Sequence, residues 1–143
     1  MVHIAILKPS FGFLPKILSG EKTIESRWHA SQSAPWGKVL KGDIVYFKNS
    51  GKHVEAVASV ADVMEIQDLS PMKVRMLLYE FGTQIGLNDP DLYFKTVRDK
   101  KYCILVFLSE PKRIKPFSID KRGFGMQAAW LSIKSLKNIL LKP

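Results

Sequence analysis

Between His53 and Ile66 apolar and polar residues alternate: Val54, Ala56, Ala58 and Val60 fall on one face, Glu55 and Ser59 on the other. An α-helix scatters residues two apart around its axis, whereas a strand puts them on one side. A second β-rich run, Asp43 to Lys48, precedes it, separated by Asn49-Ser50-Gly51-Lys52, a composition that turns one antiparallel strand into the next. This hairpin is the frame on which the other segments have to pack.

Around it the pattern is mixed. Val2 to Leu7 reads as a strand ended by Lys8-Pro9, and Leu14 to Leu18 as a short helix with Gly20 at its C-terminus. Thr23 to Trp28 alternates like a strand, and His29 to Lys41 is polar and loop-like. Ser70-Pro71 supplies an N-cap and a first helical position; Val74, Leu77, Leu78, Phe81 and Ile85 continue with helical spacing until Gly82 and Gly86. Asn88-Asp89-Pro90 opens a shorter helix through about Val97. Tyr102 to Ser109 is the most apolar strand and is expected at the centre, with Pro111 breaking it and Lys112 to Pro116 forming another. Phe117 to Gln127 reads as a loop, Trp130 and Leu131 as residues joining the sheet, and Ile133, Leu136, Ile139 and Leu140 as a closing helix. Strands and helices do not alternate regularly, which argues against a doubly wound parallel sheet. The expected fold class is α+β, mainly β: a small, mostly antiparallel barrel of roughly five to seven strands with peripheral helices.

With 143 residues, 46% of them apolar and spread along the chain, one domain spanning 1–143 is expected, with a sizeable core. The longest apolar run, Cys103 to Leu108, is too short to cross a bilayer, and Met-Val-His-Ile does not look like a secretory leader. A cytoplasmic protein without a membrane association is the default expectation. The single cysteine, Cys103, excludes disulfides and Cys-based zinc sites, and the scattered His3, His29 and His53 lack metal-ligand spacing, so neither a metal nor a cofactor is expected. Charge is more pointed. Twenty-two Lys and Arg against thirteen acidic residues give a net charge of +9 and a pI near 9.7, which favours an anionic partner, nucleic acid first.

The densest cluster of reactive side chains is Gly20-Glu21-Lys22-Thr23-Ile24-Glu25-Ser26-Arg27. Residues two apart on a strand share a face, so Thr23, Glu25 and Arg27 are expected to project together, with Lys22 at the helix–strand junction. Arg27 can pair with Glu25 or clamp a phosphate, and Lys22 can act as a point charge or, with a lowered pKa, as a base. An exposed strand face with ordinary ion pairs is the plainer alternative.

This run resembles the ASCH signature, Gly-x-Lys-x-x-Glu-x-Arg, with every fixed position matched by Gly20, Lys22, Glu25 and Arg27. Lys16-Ile17-Leu18-Ser19 is similar to the helix leading into that motif, and Gly42-Asp43-Ile44-Val45 and Tyr102 to Leu108 follow in the family's order. The resemblance implies a PUA-like β-barrel with the motif lining a cleft, and binding of RNA or other nucleic acid. Some small ASCH proteins are amidohydrolases that deacetylate N4-acetylcytidine, with a lysine, a threonine and a glutamate as proposed catalytic residues. By that resemblance Lys22 matches the lysine, Glu25 stands where the threonine would be, and Glu80 is the candidate for the distal glutamate.

Outside the motif, Lys121-Arg122-Gly123-Phe124-Gly125 pairs cations with an aromatic that can stack on a base, unless Phe124 folds inward. Trp36, between Pro35 and Gly37, is a second stacking candidate, whereas Trp28 and Trp130 read as core. Together these residues lead to an expected RNA-, nucleotide- or nucleoside-binding protein whose cleft uses Lys22, Thr23, Glu25, Arg27, Trp36, Lys121, Arg122 and Phe124. The rivals are a hydrolase (amidohydrolase or ribonuclease) with Lys22, Glu25 and Glu80 at its centre, and a protein-interaction module. The oligomeric state is left open.

Overall fold

In a computed structural model, residues 1–125 and 128–141 are described. They form six strands, β1 (Val2–Leu7), β2 (Ile24–His29), β3 (Ile44–Asn49), β4 (Val54–Ile66), β5 (Tyr102–Phe117) and β6 (Trp130–Ile133), and three α-helices, α1 (Phe13–Ser19), α2 (Pro71–Ile85) and α3 (Pro90–Val97). The strands make one sheet in the order β2-β5-β4-β3-β1-β6, curled into a half-barrel. β1 and β3 run parallel, and the other neighbours are antiparallel. Among the described residues no helix is long and apolar enough to cross a membrane.

Both faces of the curled sheet are covered, so the period-two alternation sorts side chains into separate cores. Ile104 and Val106 of β5 point inward with Ala5, Val45, Phe47, Ala56 and Ala58, and α1 plugs this interior with Phe13, Leu14 and Ile17. Cys103 and Leu105 point the other way, onto Val74, Leu78 and Ile85 of α2 and Phe94 and Val97 of α3. Ile4 of β1 and Leu131 and Ile133 of β6 face a third cluster closed by Ile139. A strand buried on both sides has to be apolar at every position, which is why Cys103–Val106 is an unbroken apolar run.

Two expected boundaries are corrected. Pro111 does not end β5, which continues to Phe117 as one strand. Ser59 pairs with Ser109 and Val57 with Lys112, so Glu110 and Pro111 together oppose Ala58 in a bulge, where the missing proline N–H costs no ladder bond. Glu110 adopts φ 52° to make it. The closing helix is also absent. Ile133 ends β6, and among the described residues a single 3-10 turn, Leu136–Asn138, follows, with Ser135 accepting from Lys137 N–H. Apolar spacing there reflects packing against β1 rather than helical periodicity. The loop expected from Phe117 to Gln127 starts one residue later, since Phe117 ends β5; it runs irregularly through Gly125 apart from a single bridge of Ile119 with Leu140, and Met126 and Gln127 lie outside the described residues.

The helices begin and end largely where their caps direct. Ser70 accepts from Lys73 N–H and Asp89 from Leu92 N–H, each with proline at the next position. Gly20 and Gly86 terminate α1 and α2 in the left-handed region, at φ 83° and 91°. They differ in their surroundings: a β-carbon on Gly20 would meet open space, whereas one on Gly86 would lie 3.2 Å from Cβ of Lys22. Gly20→Ala is therefore expected to cost about 1 kcal/mol from backbone strain alone. Gly86→Ala is expected to cost clearly more, about 2 kcal/mol or above, because it also displaces Lys22. Urea unfolding of the two variants side by side checks the difference.

Candidate functional site

β2 is an edge strand, bonded on one side to β5. Its register pairs Glu25 with Val106 and Arg27 with Ile104, the inward-facing residues of β5, while Ile24 and Trp28 join the helix-side core. Alternation thus directs a carboxylate and a guanidinium toward the interior of the half-barrel. Glu25 is 2% exposed. An unpaired charge at that depth is strongly disfavoured, so partners are required.

Those partners are Lys22 and Arg27. The Lys22 ammonium lies 3.2 Å from Glu25 Oε1, and Arg27 donates to Oε2 at 3.0 Å. Lys22 also donates to the carbonyls of Ile24 (2.6 Å) and Ile85 (2.7 Å) and sits 4.2 Å over the Phe13 ring. An ammonium has three protons, and three acceptors surround this one. The turn at Gly20 makes this possible, since Lys22 N–H bonds back to Lys16 O and Thr23 N–H bonds to Gln84 O, bringing the start of β2 onto the end of α2.

Arg27 has a second task. Its other donations reach Ala129 O at 3.1 Å and Ile6 O at 3.2 Å, and its guanidinium lies 5.2 Å from the Trp130 ring centre. It therefore ties edge strand β2 to β1 and to the residue preceding β6 across the open seam of the half-barrel. A planar fork with five donors suits this better than an ammonium.

Burial alone would push the Glu25 carboxyl up, but the charges of Lys22 and Arg27 and their hydrogen bonds outweigh it and hold it below its ordinary value. Burial pulls the Lys22 ammonium down, against the opposing pull of Glu25. The arrangement behaves as one buried ionic unit with Glu25 ionised.

Beside this unit opens a cleft of about 310 Å³, bounded by β2, the segment from Ile6 to Phe13, and α3. Glu25 and Arg27 form part of its floor, with Phe11, Phe13, Trp28 and Tyr93 as aromatic walls and Lys8, His29 and Lys100 among its cationic or titratable groups. Burial, followed by the charge of Glu25, pushes the Tyr93 phenol up to about 12, so it stays neutral. Burial and the charges of Arg27 and Lys100 lower His29, whose buried Nε2 has no hydrogen-bond partner among the described residues. A buried ring nitrogen in such a place calls for a partner.

The residues expected at the site are thus only partly assembled. Lys22, Glu25 and Arg27 meet, but as a buried cluster rather than an exposed strand face, and Lys22 lies behind the cleft surface at 0% side-chain exposure. Thr23 is exposed and precedes β2 instead of sharing its inner face. Glu80 is exposed on α2, and Trp36 packs edge-on against Tyr102 at 5.1 Å; neither lines the cleft. Lys121 donates to Ala128 O, Arg122 pairs with Asp120 at 2.7 Å, and Phe124 is 39% exposed, all on the C-terminal loop outside the cleft. Trp28, expected in the core, is both core residue and cleft wall, and Phe11, Phe13 and Tyr93 were not singled out in the sequence. The signal available was Phe11-Gly12-Phe13 immediately before the motif helix, two rings flanking a left-handed glycine.

Replacing Glu25 tests the ionic unit. Glu25→Gln leaves two cations without their counter-charge and is expected to cost about 3–5 kcal/mol of stability. Because the folded carboxyl is held low, its contribution is complete above the ordinary value of 4.5 and is lost as pH falls through the lower folded value. Urea titrations between about pH 6 and pH 3 are expected to show a smaller acid-induced loss of stability in Glu25→Gln than in the wild type.

No family model matches this sequence, and no curated protein matches it. Solved structures do. The ASCH protein of Zymomonas mobilis superposes with a TM-score of 0.68 at 16% identity, over 96% of this chain and 90% of that one. Two point variants of that protein give 0.68 and 0.65, at 15% and 16% identity, over 96% of this chain and 93% and 91% of theirs. The chain therefore has the ASCH-type, PUA-like fold, mainly β with helices set around a six-stranded half-barrel.

Proposed function

We propose that this chain binds RNA, or a nucleotide derived from it, in the cleft beside Glu25 and Arg27. The observation that carries the reading is the combination in one cavity of exposed aromatic surface with Lys8, Arg27 and Lys100. Nucleic acids present flat π-faces and phosphates together, and sites for single strands combine aromatic platforms with cations in this way. Phe11 is the most accessible ring, 37% exposed and supported by Phe13 stacked 5.1 Å behind it. Glu25 is already compensated, so it does not repel a phosphate as a free carboxylate would. The net charge of +9 supplies long-range attraction.

In this reading Lys22 acts through Glu25. It keeps the carboxylate ionised and in place, and Arg27 presents the remaining edge of its guanidinium at the cleft. The hydrolase alternative asks more of the geometry. Lys22 as a base would first have to release a proton engaged with Ile24, Ile85 or Glu25, and Glu80 stands outside the cavity.

Fluorescence anisotropy with short single-stranded RNA tests the proposal. Binding is expected to weaken with salt, and Lys8→Ala and Lys100→Ala are each expected to reduce the slope of log K against log salt by about 0.7 for each phosphate contact removed. Phe11→Ala is expected to lose about 1–3 kcal/mol of binding through stacking. Absence of binding at low salt defeats the reading, and release of acetate or cytidine from N4-acetylcytidine, abolished by Lys22→Ala in folded protein, moves it to the hydrolase.

A further inference from the structure

A second cavity, of about 290 Å³, adjoins the first and shares Phe11, Phe13, Tyr93 and Thr96 with it. The shared wall is built as a ridge. Phe11 stacks on Phe13 with the ring planes 14° apart and meets Tyr93 edge-on at 5.9 Å, so three rings hold one another between the two spaces. Each space alone is at the lower limit of small-molecule sites, about 300–1,000 Å³. A ligand larger than one nucleoside needs both.

The two sides differ in chemistry. Lys8, Arg27 and Lys100 all belong to the first. The second has no cation in its lining; Leu87 and Leu92 provide apolar surface, and Asn88 and Asp89 provide polar groups. Lys16 donates to Asn88 Oδ1 at 2.6 Å and to Gly86 O at 2.8 Å, which fixes the amide with its oxygen toward Lys16 and leaves its NH2 group as a donor. Asp89 Oδ1 accepts from Leu92 N–H at 3.0 Å, leaving Oδ2 as an acceptor. A donor beside an acceptor suits a base edge or a ribose hydroxyl, and the Asp89 carboxylate disfavours a phosphate there.

We infer that the groove is a two-nucleotide site. One nucleoside and the phosphates occupy the cationic side, and the neighbouring nucleoside crosses the Phe11 ridge to Asn88 and Asp89. The ligand class is therefore a dinucleotide step within single-stranded RNA rather than a free nucleoside or mononucleotide. This inference rests on the nucleic-acid reading above and specifies it.

Calorimetry with ribonucleoside monophosphates and with ribodinucleotides at low salt tests it, on wild type and on Asn88→Ala and Leu92→Glu. Both replaced residues are exposed, so the variants are expected to melt like the wild type. The best dinucleotide is expected to bind about tenfold or more tightly than the best mononucleotide, as one further stacked base provides. The variants are expected to lose most of that gain while mononucleotide binding stays within about twofold. If mononucleotides bind but dinucleotides bind no better, or if the gain survives both replacements, the two-nucleotide site is wrong and the first cleft stands alone. If neither mononucleotides, dinucleotides nor longer single strands bind, this inference and the nucleic-acid reading fall together.

Discussion

The ion pair between Lys22 and Glu25 lies where three pieces of the fold have to agree. Lys22 reaches it from the turn after α1, its ammonium hydrogen-bonded to the last residue of α2 and the first of β2. Glu25 reaches it from inside the half-barrel, where the β2–β5 register places it. Removing either charge strands the other in a region with almost no water, which is why such pairs resist replacement of one partner even when they add little net stability. Their contribution lies in specificity: an apolar residue at position 22 would lose two carbonyl partners as well as a counter-ion, so Ile24 O and Ile85 O would be left bare.

Arg27 extends the same unit to the far side of the sheet. A curled sheet with β2 and β6 at its two edges has unpaired backbone at the seam, a feature that folds have to cover or satisfy. Here Arg27 bridges the seam, donating to Ile6 O and to Ala129 O, which also accepts from Ile6 N–H. The cleft lies alongside this seam. Its depth and its floor therefore depend on the ionic unit, and a ligand that met Arg27 would be felt by β1 and the segment entering β6 as well as by β2.

Local patterns in the sequence carried the fold a long way, because capping and alternation are local physics. Ser70-Pro71, Asp89-Pro90, Gly20 and Gly86 mark helix ends whose geometry is satisfied within a few residues. The errors occurred where partners decide. Pro111 stops a strand only if its missing N–H is needed, and a bulge against Ala58 removes that need. Ile133 to Leu140 has helical spacing but packs as a strand and a short turn on β1. The site shows the same division. The motif's spacing was enough to bring Glu25 and Arg27 to one face, but not to say that this face is the interior; that depends on β5, about eighty residues later in sequence. Phe11 and Tyr93 form the cleft walls only because α3 comes to rest beside the start of α1, a contact that no local pattern encodes.

The surroundings of Lys22 also bear on whether its ammonium can give up a proton. A lysine acts as a general base through a free lone pair, and burial lowers its pKa toward that state. Burial here comes with three acceptors, a carboxylate among them, each of which holds the protonated form. To act, Lys22 would have to leave two backbone carbonyls that also fix the junction of α2 with β2. A threonine at position 25 would remove the carboxylate and its hold on the ammonium; a glutamate strengthens that hold. In this chain Glu25 and the two carbonyls together hold the Lys22 ammonium as the counter-ion of a buried carboxylate.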